Sequence, residues 1–261
     1  MTASCPDSFV RFAGQLADAA GDVAQRYFRS GVQAEDKADE SPVTIADRTA
    51  ETAMRALIEK EFPEHGIIGE EHGSVRRDAE WVWVLDPIDG TKAFLTGKPL
   101  FGTLIGLLHR GEPVLGVINQ PIINDRWVGG AGHPTTLNGI PARTRTAEHG
   151  LAGAMLQTTS PDMFKDGKYA AFERVGNACK FIHWGGDCYG FGLLASGFID
   201  IAIESSLQLY DWVALAPIIE NAGGSLTDWQ GNKLEIRDGS FDVVACGDRR
   251  LLPTILDLLN R

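Results

Sequence analysis

Along the first 130 residues the apolar positions follow two periods in turn. From Phe9 to Phe28, Phe9, Phe12, Ala13, Leu16, Ala17, Ala20, Ala24, Tyr27 and Phe28 recur three or four apart, which predicts an amphipathic packing helix. Gln33 to Pro42 is rich in Asp, Glu and Lys and reads as a mobile surface loop ended by proline. Thr44-Ile45-Ala46-Asp47 has the spacing of a capping box, and Ala50, Met54, Leu57, Ile58 and Phe62 supply the apolar face of a second helix that stops at Pro63. Ile67-Ile68 reads as a short strand. Trp81 to Leu85, apolar and rich in β-branched or aromatic residues, predicts a buried strand ending at Asp86-Pro87. Gly102 to Leu108 and Val114 to Ile118 flank Arg110-Gly111-Glu112-Pro113 as a hairpin, with a further short strand at Arg126 to Val128.

Beyond residue 140 strands and helices alternate. The pattern predicts strands at Met155–Thr158, Lys180–Trp184, Ile199–Glu204 and Asp242–Cys246. Between and after them come a polar helix-like stretch and helices at Tyr189–Ser196, Trp212–Ala222 and Arg250–Leu259. Helices on a mostly antiparallel sheet, followed by alternation, imply an α/β (α+β) protein with layered αβαβα packing. Its two halves would be 1–140, α+β with the acidic motifs, and 141–261, α/β with pocket residues.

Composition narrows the class. A chain of 261 residues, 44% hydrophobic and 23% charged, can bury a large core. A net charge of -11 argues against a nucleic-acid surface, although bound metal ions can invert the local field for an anionic substrate. Cys5, Cys179, Cys188 and Cys246 show no zinc or disulfide spacing, and neither a membrane-spanning run nor an export signal is visible. Reduced thiols in a cytoplasmic or stromal compartment, with no membrane partner, are expected. His65, His72, His109, His133, His149 and His183 lack paired metal spacing, and Trp127, Trp184 and Trp229 read as packing residues, Trp184 near enough to Asp187 to line a pocket.

The chemistry concentrates in Trp83-Val84-Leu85-Asp86-Pro87-Ile88-Asp89-Gly90-Thr91. Two carboxylates sit three apart, beside a proline that fixes one dihedral and a glycine that permits an unusual one. Carboxylates crowded together repel one another unless a cation lies between them. Taken alone, a D-x-x-D is more often a surface turn, Glu70-Glu71 a solvated edge, and Asp211 a helix cap.

Together these elements resemble the inositol-monophosphatase family in order and spacing across nearly the whole chain. The motifs are Gly69-Glu70-Glu71, Trp83 through Thr91, and Asp211-Trp212 followed by Ile218-Ile219 and Ala222-Gly223-Gly224. The resemblance implies the layered fold of metal-dependent sugar phosphatases, a homodimer, and phosphomonoester hydrolysis with two or three Mg²⁺ per site. It implies Glu70, Asp86, Asp89, Asp211 and the Ile88 carbonyl as metal ligands, with Glu70, Asp47 and Thr91 catalytic, the last two orienting the attacking water. A third, weaker Mg²⁺ would lie near Glu70 under the loop around Lys37 and Asp39. Oxygen ligands suit Mg²⁺, and a metal pair can clamp the attacking and leaving oxygens of an in-line displacement.

Within the family, Gly186-Asp187-Cys188-Tyr189, Ala46 through Glu51, Thr91-Lys92-Ala93-Phe94 and Gly102 through Gly106 look more like histidinol-phosphate phosphatases than inositol phosphatases. Asp187 and Glu204 would then face the ammonium and imidazole of L-histidinol phosphate by charge-assisted hydrogen bonds, while Gly90, Thr91, Gly186 and Asp211 complete the substrate contacts. Asp187 as a helix N-cap is the plainer alternative. Inositol monophosphate, a nucleotide 3′-phosphate or fructose bisphosphate are other esters, and a non-catalytic regulatory protein is a third class.

Overall fold

The computed structural model describes residues 4–33, 35–36 and 42–261. Lys37 and Asp39 lie outside the described residues, as does part of the expected loop 33–42. Helix α1 (Asp7–Tyr27) is followed by β1 (Glu35–Asp36) and β2 (Pro42–Val43), which pair with each other, and by α2 (Ile45–Glu61). The capping box at the start of α2 is formed: the Thr44 hydroxyl accepts from the Ala46 N–H, and Asp47 accepts from the Thr44 N–H at 2.9 Å. Next come β3 (Gly66–Gly69), β4 (Gly73–Val75), β5 (Trp81–Asp89) and the short α3 (Thr91–Leu95). Then follow β6 (Gly102–His109), β7 (Glu112–Gln120), β8 (Asp125–Gly130), β9 (His133–Leu137) and β10 (Ile140–Pro141). The β6–β7 hairpin turns at Arg110 and Gly111, both at positive φ, the conformation that matches strand twist.

The rest of the chain carries β11 (Met155–Thr158), α4 (Lys168–Ala178), β12 (Phe181–Trp184), α5 (Asp187–Ala195) and β13 (Ile201–Leu207). It ends with α6 (Leu209–Trp212), α7 (Leu215–Asn221), β14 (Ser225–Asp228), β15 (Phe241–Cys246) and α8 (Leu252–Leu259). The single helix expected from Trp212 to Ala222 is in fact two, α6 and α7. Asp211 sits in the first turn of α6, where it accepts from the Gln208 N–H at 2.6 Å.

An eight-stranded sheet in the order β10-β9-β8-β7-β6-β5-β3-β4 is antiparallel except for β3 beside β5. A five-stranded sheet, β12-β11-β13-β15-β14, is parallel only where β11 meets β12 and β13. The expected αβαβα layering is therefore present, and three large apolar cores among the described residues hold the layers together, beside a smaller cluster around Ile88 and Phe94. The first seals α1 and α2 onto the large sheet through Phe12, Leu16, Met54, Trp83 and Leu115. The second packs α5, α6 and α7 between the sheets through Trp127, Phe191, Trp212 and Ile218, and the third closes α4 and α8 over the small sheet through Phe172, Trp229 and Ile255. Each sheet must bury its apolar faces, and three helical layers around two sheets do so. Among the described residues no helix is long and apolar enough to cross a membrane, and all four cysteines are free.

Candidate active site

The site begins with a departure from the expected end of the Trp81 strand. Instead of stopping at Asp86-Pro87, β5 runs on to Asp89, and its register on β6 slips: Asp86 pairs with Leu104 but Asp89 with Gly102. Three steps on β5 thus oppose two on β6, the signature of a one-residue bulge. Side chains three apart on a regular strand point to opposite faces, and the extra residue restores the parity that turns Asp86 and Asp89 to one side. Proline suits this place because it has no N–H to donate to a ladder. The freed Pro87 carbonyl instead accepts from the buried Thr103 hydroxyl at 2.9 Å. Gly90 then takes φ 83°, and α3 starts.

Asp211 arrives from the middle layer, and one carboxylate oxygen each of Asp86, Asp89 and Asp211 lies within 4.8 Å of the others. Each carboxylate is aimed by a backbone N–H. Asp86 accepts from Ile88 at 3.0 Å, Asp89 from Cys188 at 2.6 Å and Asp211 from Gln208 at 2.6 Å. Burial pushes the Asp86 carboxyl well above the usual carboxylate range, and repulsion from Glu70, Asp89 and Asp211 adds to it. Burial likewise raises Asp89 and, with repulsion from Asp89 and Glu70, raises Asp211 well up. A divalent cation would turn this repulsion into attraction, and hard oxygen donors are the set Mg²⁺ prefers, so the residues fit such an ion.

The remaining candidates sit around this centre. Glu70 follows β3, its N–H bonded to the Leu85 carbonyl at 3.2 Å, on the strand edge beside Asp86. The Thr91 hydroxyl donates to the Ile88 carbonyl at 3.2 Å. Asp47 is buried in the first turn of α2, and its neighbour Ala46 packs with Ile88, Ala93 and Phe94, which brings that turn to the back of the bulge.

A cavity of about 180 Å³ is lined by Asp89, Asp187, Glu204 and Asp211 together with Thr159, Met163, Cys188, Phe191, Leu207 and Leu215. Glu204 is buried, and one oxygen accepts from the Thr159 N–H at 2.8 Å and the Thr159 hydroxyl at 3.0 Å. The other oxygen, Oε2, has no protein partner. Burial pushes Glu204 well above the carboxylate range. Asp187 is pushed up to about 7 by burial and by repulsion from Asp89, against the pull of Lys98 and Lys92.

Asp187 is not the cap of α5. It occupies the first helical position at φ 45°, behind Gly186 at φ 142°, which holds the cap position, and the Cys188 N–H of that first turn donates to Asp89. An acid from the other sheet thereby anchors the helix start, where a negative group is favoured. Gly90 has to be glycine on two counts, its positive φ and the 2.8 Å that would separate a Cβ from the Asp187 Cγ. Gly186 packs on Gln157 rather than lining the cavity, and a Cβ there would meet the Gln157 amide at 2.4 Å. Trp184, read as a packing residue near enough to line the pocket, packs at a tilt against Phe172 and is not among the lining residues. His65 is satisfied in the core, accepting from the Trp83 indole N–H at 3.1 Å. Arg126 binds Asn119 and Asp18. Thr103 and Thr159 were missed as anchors of the site, because a threonine inside or after a strand carries no sequence mark of the backbone or carboxylate it will meet.

The family model described as the inositol monophosphatase family matches residues 6–261. The chloroplastic bifunctional phosphatase IMPL2 of Arabidopsis thaliana is 48% identical over 262 residues, 97% of this chain and 75% of that protein. A histidinol-phosphatase of Chlorobaculum parvum is 34% identical, covering 90% of this chain and 91% of its own length. A solved structure of an inositol monophosphatase from Zymomonas mobilis superposes with a TM-score of 0.90 at 45% identity, covering 99% of this chain and 100% of that one.

Proposed function

Because this chain belongs to the inositol monophosphatase family, whose members are metal-dependent phosphatases, we propose that it hydrolyses L-histidinol phosphate to histidinol and phosphate in histidine biosynthesis. The observation that carries the choice of ester is the meeting of Asp187 and Glu204 with Asp89 and Asp211 around one small cavity. A neutral polyol brings no charge to the buried Glu204 and the partly buried Asp187, whereas an ammonium or imidazolium stabilises both carboxylates and is oriented by them. The histidinol-phosphatase of Chlorobaculum parvum, similar over nearly its full length, supports the same choice.

In this reading Glu70, Asp86, Asp89, Asp211 and the Ile88 carbonyl hold two or three Mg²⁺. Bound there, Mg²⁺ supplies a lowered pKa for the attacking water and neutralises the charge of the departing alkoxide. Thr91 and Asp47 orient the water, and Thr91 is already aligned by its bond to the Ile88 carbonyl. Gly90 and Thr91 hold the phosphate through backbone N–H groups, with Gly186 shaping the approach to Asp187. The Oε2 of Glu204 meets the cationic end of the alcohol while Thr159 keeps the carboxylate from turning away.

The reading includes a homodimer and a compartment, cytoplasmic or stromal, that keeps the four cysteines reduced. Inositol monophosphate is the second reading, favoured by the 45% identity to the Zymomonas mobilis structure. Purified protein with Mg²⁺ and a panel of histidinol phosphate, inositol 1-phosphate, glycerol phosphate, a nucleotide 3′-phosphate and fructose bisphosphate decides between them. The highest kcat/KM is expected on histidinol phosphate. A preference for inositol phosphate would establish the second reading, and no turnover of any ester would leave a regulatory protein.

A further inference from the structure

Helix α2 carries two buried carboxylates one turn apart, Asp47 and Glu51, so both lie on the same face. Glu51 is 0% exposed and does not line the cavity, yet its hydrogen bonds reach the turn after β3 and Arg55 one helical turn on. Its Oε2 accepts from the Glu71 N–H at 2.7 Å, and its Oε1 from the His72 N–H at 3.2 Å and from the Arg55 Nε at 2.7 Å. Arg55 reaches on to the Gly73 carbonyl. The turn from Glu70 to His72, between β3 and β4, is thus clasped from outside by α2 while the Glu70 N–H ties it to β5. The fit is tight. A Cβ on Gly69 would stand 2.0 Å from the Glu51 Oε1, so only glycine lets the turn close on the carboxylate.

We infer that Glu51 is a positioning residue that sets the backbone of the turn bearing Glu70 and thereby the cation affinity of the site. The inference rests on the proposed metal-dependent reading. The neutral amide of Glu51→Gln keeps the volume but offers one acceptor oxygen where three N–H groups need two. At least one of the Glu71, His72 and Arg55 donors then faces an NH₂ group, and the turn must shift. Partners that orient a metal ligand from behind affect affinity or activity by about ten- to a hundredfold.

The test measures Mg²⁺ and Mn²⁺ binding to the full chain by isothermal titration calorimetry well below the melting temperature, beside turnover as a function of Mg²⁺. Glu51→Gln is expected to weaken cation binding about tenfold to a hundredfold, with excess Mg²⁺ restoring most of kcat. Arg55→Met, which removes one of the three donors and the counter-ion, is expected to weaken binding in the same direction by less, and it carries the test if Glu51→Gln does not fold. Wild-type affinity in a folded variant, or a loss that disappears once melting temperatures are matched by cooling, would overturn the inference and leave Glu51 a stabilising tie. A wild-type chain that binds no divalent cation would overturn the metal-dependent reading itself.

Discussion

Replacing Glu204 by glutamine separates the charge of this residue from its shape. The amide oxygen can keep the two Thr159 bonds, which leaves the NH₂ group at the position of the buried, unpartnered Oε2 in the residue that lines the cavity. A charge-assisted hydrogen bond to the substrate cation is worth about 1.5–3 kcal/mol, so kcat/KM for histidinol phosphate should fall roughly ten- to a hundredfold. Glycerol phosphate, with no cation, should be affected much less, since Glu204 makes no bond to the acidic centre. Stability should move the other way. Glu204 is ionised only against the cost of burial, so a neutral isostere should leave the melting temperature unchanged or raise it, as happens when a site residue rather than a structural tie is replaced. Steady-state kinetics on both esters and a thermal melt of the same sample read the two effects. Equal losses on charged and neutral esters, or a lower melting temperature without selective loss, would refute the reasoning and make Glu204 a generic support.

Asp211→Asn keeps the Gln208 N–H bond but removes a cation ligand, so turnover should fall by more than about a hundredfold with the fold intact; Mg²⁺-dependent activity near wild type would remove Asp211 from the metal set. Thr91→Ala and Asp47→Asn should lower kcat more than they raise KM, which steady-state kinetics would show, and a pure KM effect would move both residues from catalysis to binding. Gly90→Ala forces a Cβ into positive φ and against Asp187, at a cost of at least about 1–2 kcal/mol, and should lower the melting temperature by roughly 2–8 °C in a thermal melt. Carboxyls whose native pKa is raised destabilise the fold once the unfolded chain ionises while the native one holds its proton. Asp187, raised to about 7, and Asp86 and Asp211, raised well up, therefore predict that metal-free protein melts at lower temperature as pH rises from the ordinary carboxylate range through 7. Mg²⁺ should abolish that decline, and a flat profile in chelator would contradict the shifts.

Local signals were legible wherever the physics is local. The α1 and α2 periodicities, the Thr44–Asp47 capping box, the β6–β7 hairpin and the strand at Met155–Thr158 all stand close to where apolar spacing and turn chemistry put them, because neighbours along the chain decide them. The layered class followed from the order of those elements. Asp86, Asp89 and Asp211 were identifiable as candidates because so many carboxylates in that order resemble a known motif, not because anything local showed that they converge.

What the tertiary structure decided lies between segments far apart in sequence. Only pairing with β6 reveals the bulge that carries β5 past Asp86 and aims two aspartates to one side. Only packing of the middle layer places Asp89 on the Cys188 N–H, 99 residues away, and only the backbone puts Gly186 rather than Asp187 at the cap position of that helix. The same holds for Glu51, which looks like an ordinary helix glutamate until the turn after β3 closes on it. A hydrogen bond across layers depends on which faces meet and in what register, and residue spacing along one segment contains neither; the helix periods and turn signals are the sequence's own.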